Sequence, residues 1–185
     1  MQSINEAAIL LSLGSNLGKR EKHLSNALQV LFELGVAPRL CSSIYETEPV
    51  EVLNQPSFLN LICQIETDQS PETLMETCLS IENLMGRRRK YAMGPRNIDI
   101  DILFYGQKIV HDQNLEIPHP RFRNRNFVLV PLEEILPHFK DPLSGKTITN
   151  LLKICPDRSQ VIRVRRLGLQ QSEQSIELTF TPLIA

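Results

Sequence analysis

The stretch Asn97-Ile-Asp-Ile-Asp-Ile-Leu-Phe-Tyr105 decides the fold, because its apolar and acidic residues alternate as in a strand with two different faces. Successive strand side chains point to opposite sides. The apolar positions are therefore predicted to share one buried face: Ile98, Ile100, Ile102 and Phe104. Asp99 and Asp101 then share the other face, about 6.6 Å apart along the backbone. We expect this strand to cover a core on one side and to present two carboxylates on the other.

Outside this strand, hydrophobic spacing predicts an alternation of strands and helices. Three further segments have strand patterns: residues 8–13, 40–47 and 58–67. Apolar residues three and four apart predict one helix near residues 24–32 and a second one between Ser70 and Gly86. The order β-α-β-β-α-β, with hairpins between several strands, predicts an α+β fold in which helices cover a mostly antiparallel sheet.

The second half of the chain contains shorter predicted elements. Gly106-Gln107 is predicted to turn the Asp99/Asp101 strand back into a hairpin through residues 108–111. Helices are predicted at residues 126–136 and 149–154, and a last hairpin from residues 161–169 and 176–180. We expect one domain over residues 1–156 and a C-terminal extension, residues 157–185, whose extra hairpin packs on that domain.

Charge is balanced overall, with 20 Lys+Arg against 21 Asp+Glu and a net charge of −1. Binding to nucleic acid or to an anionic membrane through net charge is therefore not expected. The apolar run 7–13 follows Glu6 rather than a basic segment, so we expect a buried strand there instead of a signal peptide. These features predict a cytoplasmic location, with no nucleic acid and no membrane as partner.

The basic charge is local, and one basic stretch comes directly before the two aspartates. Residues 87–96 contain these cations: Arg87, Arg88, Arg89, Lys90 and Arg96. Two neighbouring carboxylates in an apolar strand repel one another, and Mg²⁺ would relieve that repulsion while sharing its ligand shell with phosphates. Arginine side chains would complement the same phosphates. The alternatives are a solvated acidic face and arginines that pair with the aspartates within the protein.

Two aromatic positions have the composition of a site for a flat heterocycle. Phe58 and Asn60 share one face of their strand, where a ring could stack a ligand and a carboxamide could bind its polar edge. Phe127 follows a proline- and arginine-rich segment that contains His119 and could supply a second ring. From these residues alone, Phe58 could equally be part of the core and Asn60 a polar residue at a strand end.

Four motifs in order along the chain carry a family resemblance. They are Leu13-Gly-Ser-Asn-Leu17, Phe58-Leu-Asn60, Gly94-Pro-Arg-Asn-Ile-Asp-Ile-Asp-Ile102, and Ile117-Pro-His-Pro-Arg121 with Asn124-Arg125 and Phe127. Together they resemble the signatures of the 6-hydroxymethyl-7,8-dihydropterin pyrophosphokinase family. The resemblance implies a ferredoxin-like fold. It also implies transfer of diphosphate from ATP to the pterin hydroxymethyl group in folate biosynthesis, which releases AMP.

The resemblance also implies a role for each matching residue. The catalytic positions are Arg87, Arg89, Arg96, Asp99 and Asp101. Asp99 and Asp101 among them match the ligands of two Mg²⁺ ions. The pterin-binding positions are Thr47, Val50, Phe58, Asn60 and Phe127. The nucleotide-binding positions are Glu82, Arg89, Arg96, Ile102, His119 and Arg125. The expected partners are therefore ATP and a pterin, bound by a monomer.

Two other function classes compete with this interpretation. A metal-dependent phosphohydrolase or nucleotidyltransferase could use the same Asp99/Asp101 pair, but it would not need two aromatic rings and Asn60 for a heterocycle. A non-catalytic RNA- or nucleotide-binding module of ferredoxin-like fold could use the basic stretches, but it would not need two aspartates among its cations.

Overall fold

The structure, a computed structural model, describes residues 7–49, 54–86, 94–172 and 175–183. Its strands are β1 (Ile9–Ser15), β2 (Ala37–Cys41), β3 (Ile44–Thr47), β4 (Phe58–Glu66), β5 (Asp99–Tyr105), β6 (Val110–His111), β7 (Glu116–Ile117), β8 (Val161–Gln171) and β9 (Ile176–Pro182). Its α-helices are α1 (Arg20–Glu33), α2 (Pro71–Leu84), α3 (Asn126–Ile135) and α4 (Ile148–Ile154). Within these described residues, no helix is long and apolar enough to cross a membrane.

The main sheet is antiparallel at every described pairing and has the strand order β5-β1-β4-β3-β8-β9, with β2 also paired to β4. The part β5-β1-β4-β3, together with α1 and α2, has the topology of a ferredoxin-like fold. The predicted α+β, ferredoxin-like fold with a mostly antiparallel sheet is confirmed. β8 and β9 form a hairpin that lengthens the sheet beyond β3.

The sheet buries apolar side chains on both of its faces. One face packs with the buried sides of α1 and α2, which include Leu28 and Leu74. The other face packs with α3 and α4 around Leu10, Ile62 and Phe104. Further along the same strands, this second face carries polar and small side chains, and these line the cleft described below.

The predicted strand over residues 40–47 is wrong in its extent, because β2 ends at Cys41 and β3 begins at Ile44. The Ser42 Oγ accepts a hydrogen bond from the Ile62 N–H at 2.9 Å and donates one to the Ser43 carbonyl at 2.8 Å. Serine hydroxyls that bind nearby backbone groups in this way compete with the regular ladder. The two buried serines therefore divide the segment into two strands.

The sequence also misplaces one side chain of β5 and one hairpin. Leu10 pairs with Phe104 and Leu11 with Ile102, so Leu103 is an extra residue in β5. This bulge moves Phe104 to the face opposite the isoleucines, contrary to the predicted alternation. Gly106 does form the predicted turn, with a φ of +56°, but β6 pairs with β7 and not with β5.

Candidate active site

A cleft opens where β1, β4 and β5 approach the first turn of α3. Its lining consists of Ser12, Gly14, Thr47, Glu48, Gln55, Phe58, Asn60, Arg96, Asp99, Asp101, Arg125 and Phe127. Most of the sequence-predicted site residues that the structure describes thus lie around one cavity.

The inner wall of the cleft is built around the carboxamide of Asn60. This side chain is only 4% exposed, and its Nδ2 donates to the Thr47 Oγ1 at 2.7 Å. On the neighbouring strand β1, Gly14 pairs with Asn60, and a Cβ at Gly14 would lie 2.6 Å from the Asn60 Oδ1. Glycine is therefore required here by the close approach of the amide to the strand, and Asn60 is held in a single orientation.

The opposite wall carries the two carboxylates predicted from the alternation in β5. Asp99 pairs with Gly14 and Asp101 with Ser12 across the β1–β5 ladder, and all four residues line the cleft. Within the described ranges there is no group of three or more His, Cys, Asp or Glu side chains able to hold a metal ion. Two carboxylates fit Mg²⁺ when phosphate oxygens and water complete its octahedral shell. The donor set therefore suits a metal–polyphosphate complex better than a metal held by protein alone.

Arg96 lies between the carboxylates and the aromatic wall. Its Nη2 is 3.4 Å from the Asp99 Oδ2, and its guanidinium carbon lies 5.5 Å from the ring centroid of Phe58. The Arg96 Nε is buried and has no hydrogen-bond partner among the residues that the structure describes. A buried N–H without a partner is costly, so this donor indicates a place for an anionic ligand.

Phe127 lies on the far side of the cleft, at the second residue of α3. The Arg125 guanidinium carbon is 5.5 Å from the Phe127 ring centroid. Each of the two predicted stacking rings therefore has one arginine in cation–π contact, which brings positive charge close to the expected heterocycle.

Asn16 organises two loops at the mouth of the cleft, a role that the sequence analysis missed. Its Oδ1 accepts from the Arg96 N–H at 2.8 Å, and its Nδ2 donates to the Gln55 Oε1 at 3.1 Å and the Pro56 carbonyl at 3.2 Å. Asn16 is 2% exposed, so these bonds are protected from water. The signal was present in the motif Leu13–Leu17, but no separate role was predicted for its asparagine.

Three predicted nucleotide-binding residues lie away from the lining of the cleft. Glu82 is 2% exposed, and its Oε1 accepts from the Ile100 N–H at 2.8 Å, which secures β5 to α2. Ile102 is part of the core on the α1/α2 face. His119 donates its backbone N–H to the Leu103 carbonyl, and its Nδ1 accepts from the Arg121 N–H.

The imidazole of His119 is held neutral by its surroundings. Burial and the nearby cations Arg125 and Arg121 lower the pKa of His119 from 6.5 to about 4. Since the Nδ1 already accepts a hydrogen bond, the neutral ring carries its proton on Nε2 and can donate from that atom. Three other predicted site residues, Val50, Arg87 and Arg89, lie outside the described residues.

The fold and the cleft define a class of protein: an α+β scaffold whose sheet carries a cleft lined by two aromatic rings, a carboxamide, carboxylates and two arginines. The sequence model of the 7,8-dihydro-6-hydroxymethylpterin-pyrophosphokinase (HPPK) family matches residues 10–137. The chain belongs to this family, which confirms the resemblance seen in the sequence.

Relatives and solved structures agree with this assignment. The chain is 39% identical over 153 residues to the 2-amino-4-hydroxy-6-hydroxymethyldihydropteridine pyrophosphokinase of Bacillus subtilis, and the match covers 82% of this chain and 92% of that protein. It is 40% identical over 148 residues to the folic acid synthesis protein fol1 of Pneumocystis carinii, covering 80% of this chain. The chain spans about a fifth of the length of this and a second fungal relative, from Schizosaccharomyces pombe.

A crystal structure of Plasmodium falciparum HPPK-DHPS with pteroate has a similar fold. The TM-score is 0.65 at 17% sequence identity, over 79% of this chain and 42% of that one. At this identity the likeness concerns the fold alone.

Proposed function

We propose that this chain transfers diphosphate from ATP to 6-hydroxymethyl-7,8-dihydropterin in a Mg²⁺-dependent reaction of folate biosynthesis. The products are AMP and the pterin diphosphate. The observation that carries the proposal is the cleft, which combines Phe58, Asn60 and Phe127 with two carboxylates and a buried arginine donor. Family membership and the name of the Bacillus subtilis relative support the same reaction.

The pterin is proposed to bind between the rings of Phe58 and Phe127. Asn60 offers its carboxamide to the polar edge of the heterocycle, and Thr47 keeps that carboxamide in place through its hydroxyl. A rigid amide of this kind loses little entropy when the ligand binds. Val50 is proposed to contribute to the same subsite because it matches the family's pterin-binding loop.

The triphosphate is proposed to lie across the other half of the cleft. Asp99 and Asp101 hold two Mg²⁺ ions there, together with phosphate oxygens. When bound, these ions neutralise phosphate charge and align the reacting groups. Arg96 donates its buried Nε–H to the phosphates, and Arg87 and Arg89 are assigned to them by family resemblance. The transfer needs no nucleophilic side chain, because the pterin hydroxyl oxygen attacks the β-phosphorus of ATP and AMP leaves.

The remaining nucleotide contacts are proposals of different kinds. Arg125 lines the cleft and can reach a ligand directly. Glu82 lies on α2, and Ile102 points from β5 into the core on the α1/α2 side, so they would act by shaping the strand that faces the nucleotide. His119 is proposed to donate from its neutral Nε2–H. A domain over residues 1–156 with an extension at 157–185, the cytoplasmic location and the monomeric state remain predictions.

The decisive experiment incubates the protein with ATP, Mg²⁺ and the hydroxymethyl dihydropterin, and separates AMP from ADP. The proposal expects equal amounts of AMP and pterin diphosphate, formed only when all three components are present. ADP as product would contradict diphosphate transfer. Release of phosphate or diphosphate without the pterin would favour the phosphohydrolase instead.

A further inference from the structure

The first turn of α3, which carries Phe127, is capped by a residue from a distant part of the chain. Arg125 occupies the N-cap position of α3, but its side chain makes no capping hydrogen bond. The Asp157 Oδ2 instead accepts from the Asn126 N–H at 2.8 Å, and the Asn126 Nδ2 donates to the Ser159 carbonyl at 3.0 Å. A carboxylate at this place satisfies a helix N–H and opposes the positive end of the helix dipole.

Asp157 is itself held in one orientation. Its Oδ1 accepts from the Ser159 N–H at 2.8 Å and from the Ser159 hydroxyl at 2.5 Å. Burial alone would raise the pKa of Asp157, but these bonds and the Asn126 N–H outweigh it and keep the pKa below its usual value. The carboxylate is therefore charged and fixed near neutral pH.

The last turn of α3 is attached to the same segment. Arg163 donates from its Nη2 to the Glu134 Oε1 at 2.7 Å and from its Nε to the Ser43 Oγ at 2.8 Å. Glu134 also accepts from the Tyr45 hydroxyl at 3.0 Å. Both ends of α3 are thus tied to residues 157–163, which we call the brace.

The brace is also tied to the inner wall of the cleft, which is built around Asn60. Val161 pairs with Thr47 where β8 joins β3, and Thr47 accepts the hydrogen bond that orients Asn60. One short segment therefore contacts both β3, whose Thr47 orients Asn60, and α3, which carries Phe127. The family sequence model ends at residue 137, so the brace lies beyond the part that it matches.

We propose that the brace is a positioning element for the pterin subsite, in which Asp157 acts through Phe127 by fixing the first turn of α3. This inference rests on the proposed function, because it assumes that Phe127 stacks on the pterin. Loss of the Asp157 carboxylate would free the Asn126 N–H and let the turn shift. The ring of Phe127 would then spend less time in the stacking position, whereas a ligand on the Asp99/Asp101 side would lose only the contact that Arg125, the N-cap residue of the same turn, supplies.

The test is a double-mutant cycle of Asp157→Ala and Phe127→Ala in the full chain, read out by calorimetric titration with the pterin and, separately, with MgATP. Asp157→Ala is expected to raise the pterin Kd by up to about tenfold, the limit set by losing one capping interaction, and to raise the MgATP Kd by a clearly smaller factor, through Arg125 alone. In the Phe127→Ala background, Asp157→Ala should change the pterin Kd by less than about twofold. Asp157→Asn, which keeps one acceptor oxygen, should restore part of the affinity.

Two further variants separate positioning from general loss of structure. Asp112→Ala removes an exposed carboxylate that accepts only from its neighbour Gln113 among the bonds described, and it should leave both Kd values unchanged. If Asp157→Ala does not fold, Arg163→Met weakens the attachment at the other end of α3, where Glu134 still accepts from Tyr45, and it should raise the pterin Kd selectively but by a smaller factor. Hydrogen exchange at the Asn126 amide should accelerate in Asp157→Ala without any ligand present.

Three results would overturn the inference. Equal effects of Asp157→Ala in both Phe127 backgrounds would show that it does not act through the ring. An equal loss of pterin and MgATP affinity would indicate a general structural role. Faster exchange at Asn126 with an unchanged pterin Kd would show that the cap does not position the site. Failure of the proposed function is recognised separately, since the wild-type protein would then not bind the pterin at all.

Discussion

The replacement Gly14→Ala tests the geometry of the cleft most directly. The added Cβ would lie 2.6 Å from the Asn60 Oδ1 and 3.7 Å from the Phe58 Cδ1. The φ of Gly14 is not in the positive range, so alanine is excluded by contact and not by backbone conformation. The carboxamide of Asn60 must therefore move, and it cannot do so without losing the Nδ2 bond to Thr47.

The size of the effect follows from three contributions. Overpacking at a buried position costs about 1–3 kcal/mol. Loss of one buried hydrogen bond costs about 1 kcal/mol. Alanine also lowers the conformational entropy of the unfolded chain, which stabilises the folded state by about 0.4–1 kcal/mol. We expect Gly14→Ala to lower the free energy of unfolding by about 1–3.6 kcal/mol. At this chain length each kcal/mol corresponds to a decrease of about 2–4 °C in Tm.

The displaced amide should also weaken pterin binding about tenfold under the proposed function, with no change in MgATP binding. Denaturant unfolding and calorimetric titration measure the two effects. Gly168→Ala is the control away from the lining of the cleft: its Cβ would meet the Thr179 hydroxyl at an exposed pair of β8 and β9, and the pterin Kd should stay at its wild-type value. A Gly14→Ala protein that keeps wild-type pterin affinity would refute the reasoning. So would a decrease in the free energy of unfolding that is as large in the Asn60→Ala background as in the wild type.

Three other substitutions test separate parts of the site. Asp101→Asn should remove most turnover with Mg²⁺ and leave the free energy of unfolding unchanged or increased, because it relieves repulsion with Asp99; normal kcat would contradict metal binding. Phe127→Ala should cost about 1–3 kcal/mol of pterin affinity and little MgATP affinity, whereas equal losses by calorimetry would make Phe127 a core residue. Because the pKa of His119 is lowered, the folded state binds a proton less readily than the unfolded chain. The free energy of unfolding of the wild type should therefore decrease by up to about 3 kcal/mol as pH falls from 6.5 to about 4. A His119→Gln variant should lack this component of the pH dependence of unfolding, and identical pH profiles would contradict the burial argument.

The sequence predicted the parts of the fold and site that depend on local patterns. The alternation in β5 correctly placed Asp99 and Asp101 on one face, because strand geometry determines which neighbours share a side. Phe58 and Asn60 were likewise separated from the apolar row of β4. The four ordered motifs were also specific enough to indicate the family, because each combines several residue types at fixed spacing.

The features that the sequence did not predict depend on contacts between distant segments. The bulge at Leu103 has no signal in the hydrophobic pattern, since leucine and phenylalanine are apolar on either face. The division between β2 and β3 depends on where the Ser42 hydroxyl finds a partner in β4. The cap of α3 comes from Asp157, 31 residues after the Asn126 N–H that it accepts from. Local sequence rules search for a cap next to the helix, where Asn124 and Asn126 are the candidates, and they do not reach a carboxylate 31 residues away.

The Arg96–Asp99 contact explains how the cleft can hold opposite charges before any ligand binds. Both side chains are only about one-fifth exposed, at 17% and 21%, so each would be costly to leave without a counter-charge. Each one, however, is also the group proposed to meet a ligand of opposite sign: Asp99 a cation and Arg96 a phosphate. A ligand that carries both a cation and a phosphate can replace the Arg96–Asp99 contact with one partner for each side chain, so that neither side chain is left buried without a counter-charge. ATP without its cation would satisfy Arg96 but would leave Asp99 facing a polyanion. The arrangement of these two residues therefore favours the metal–nucleotide complex over free nucleotide, independently of how the pterin binds.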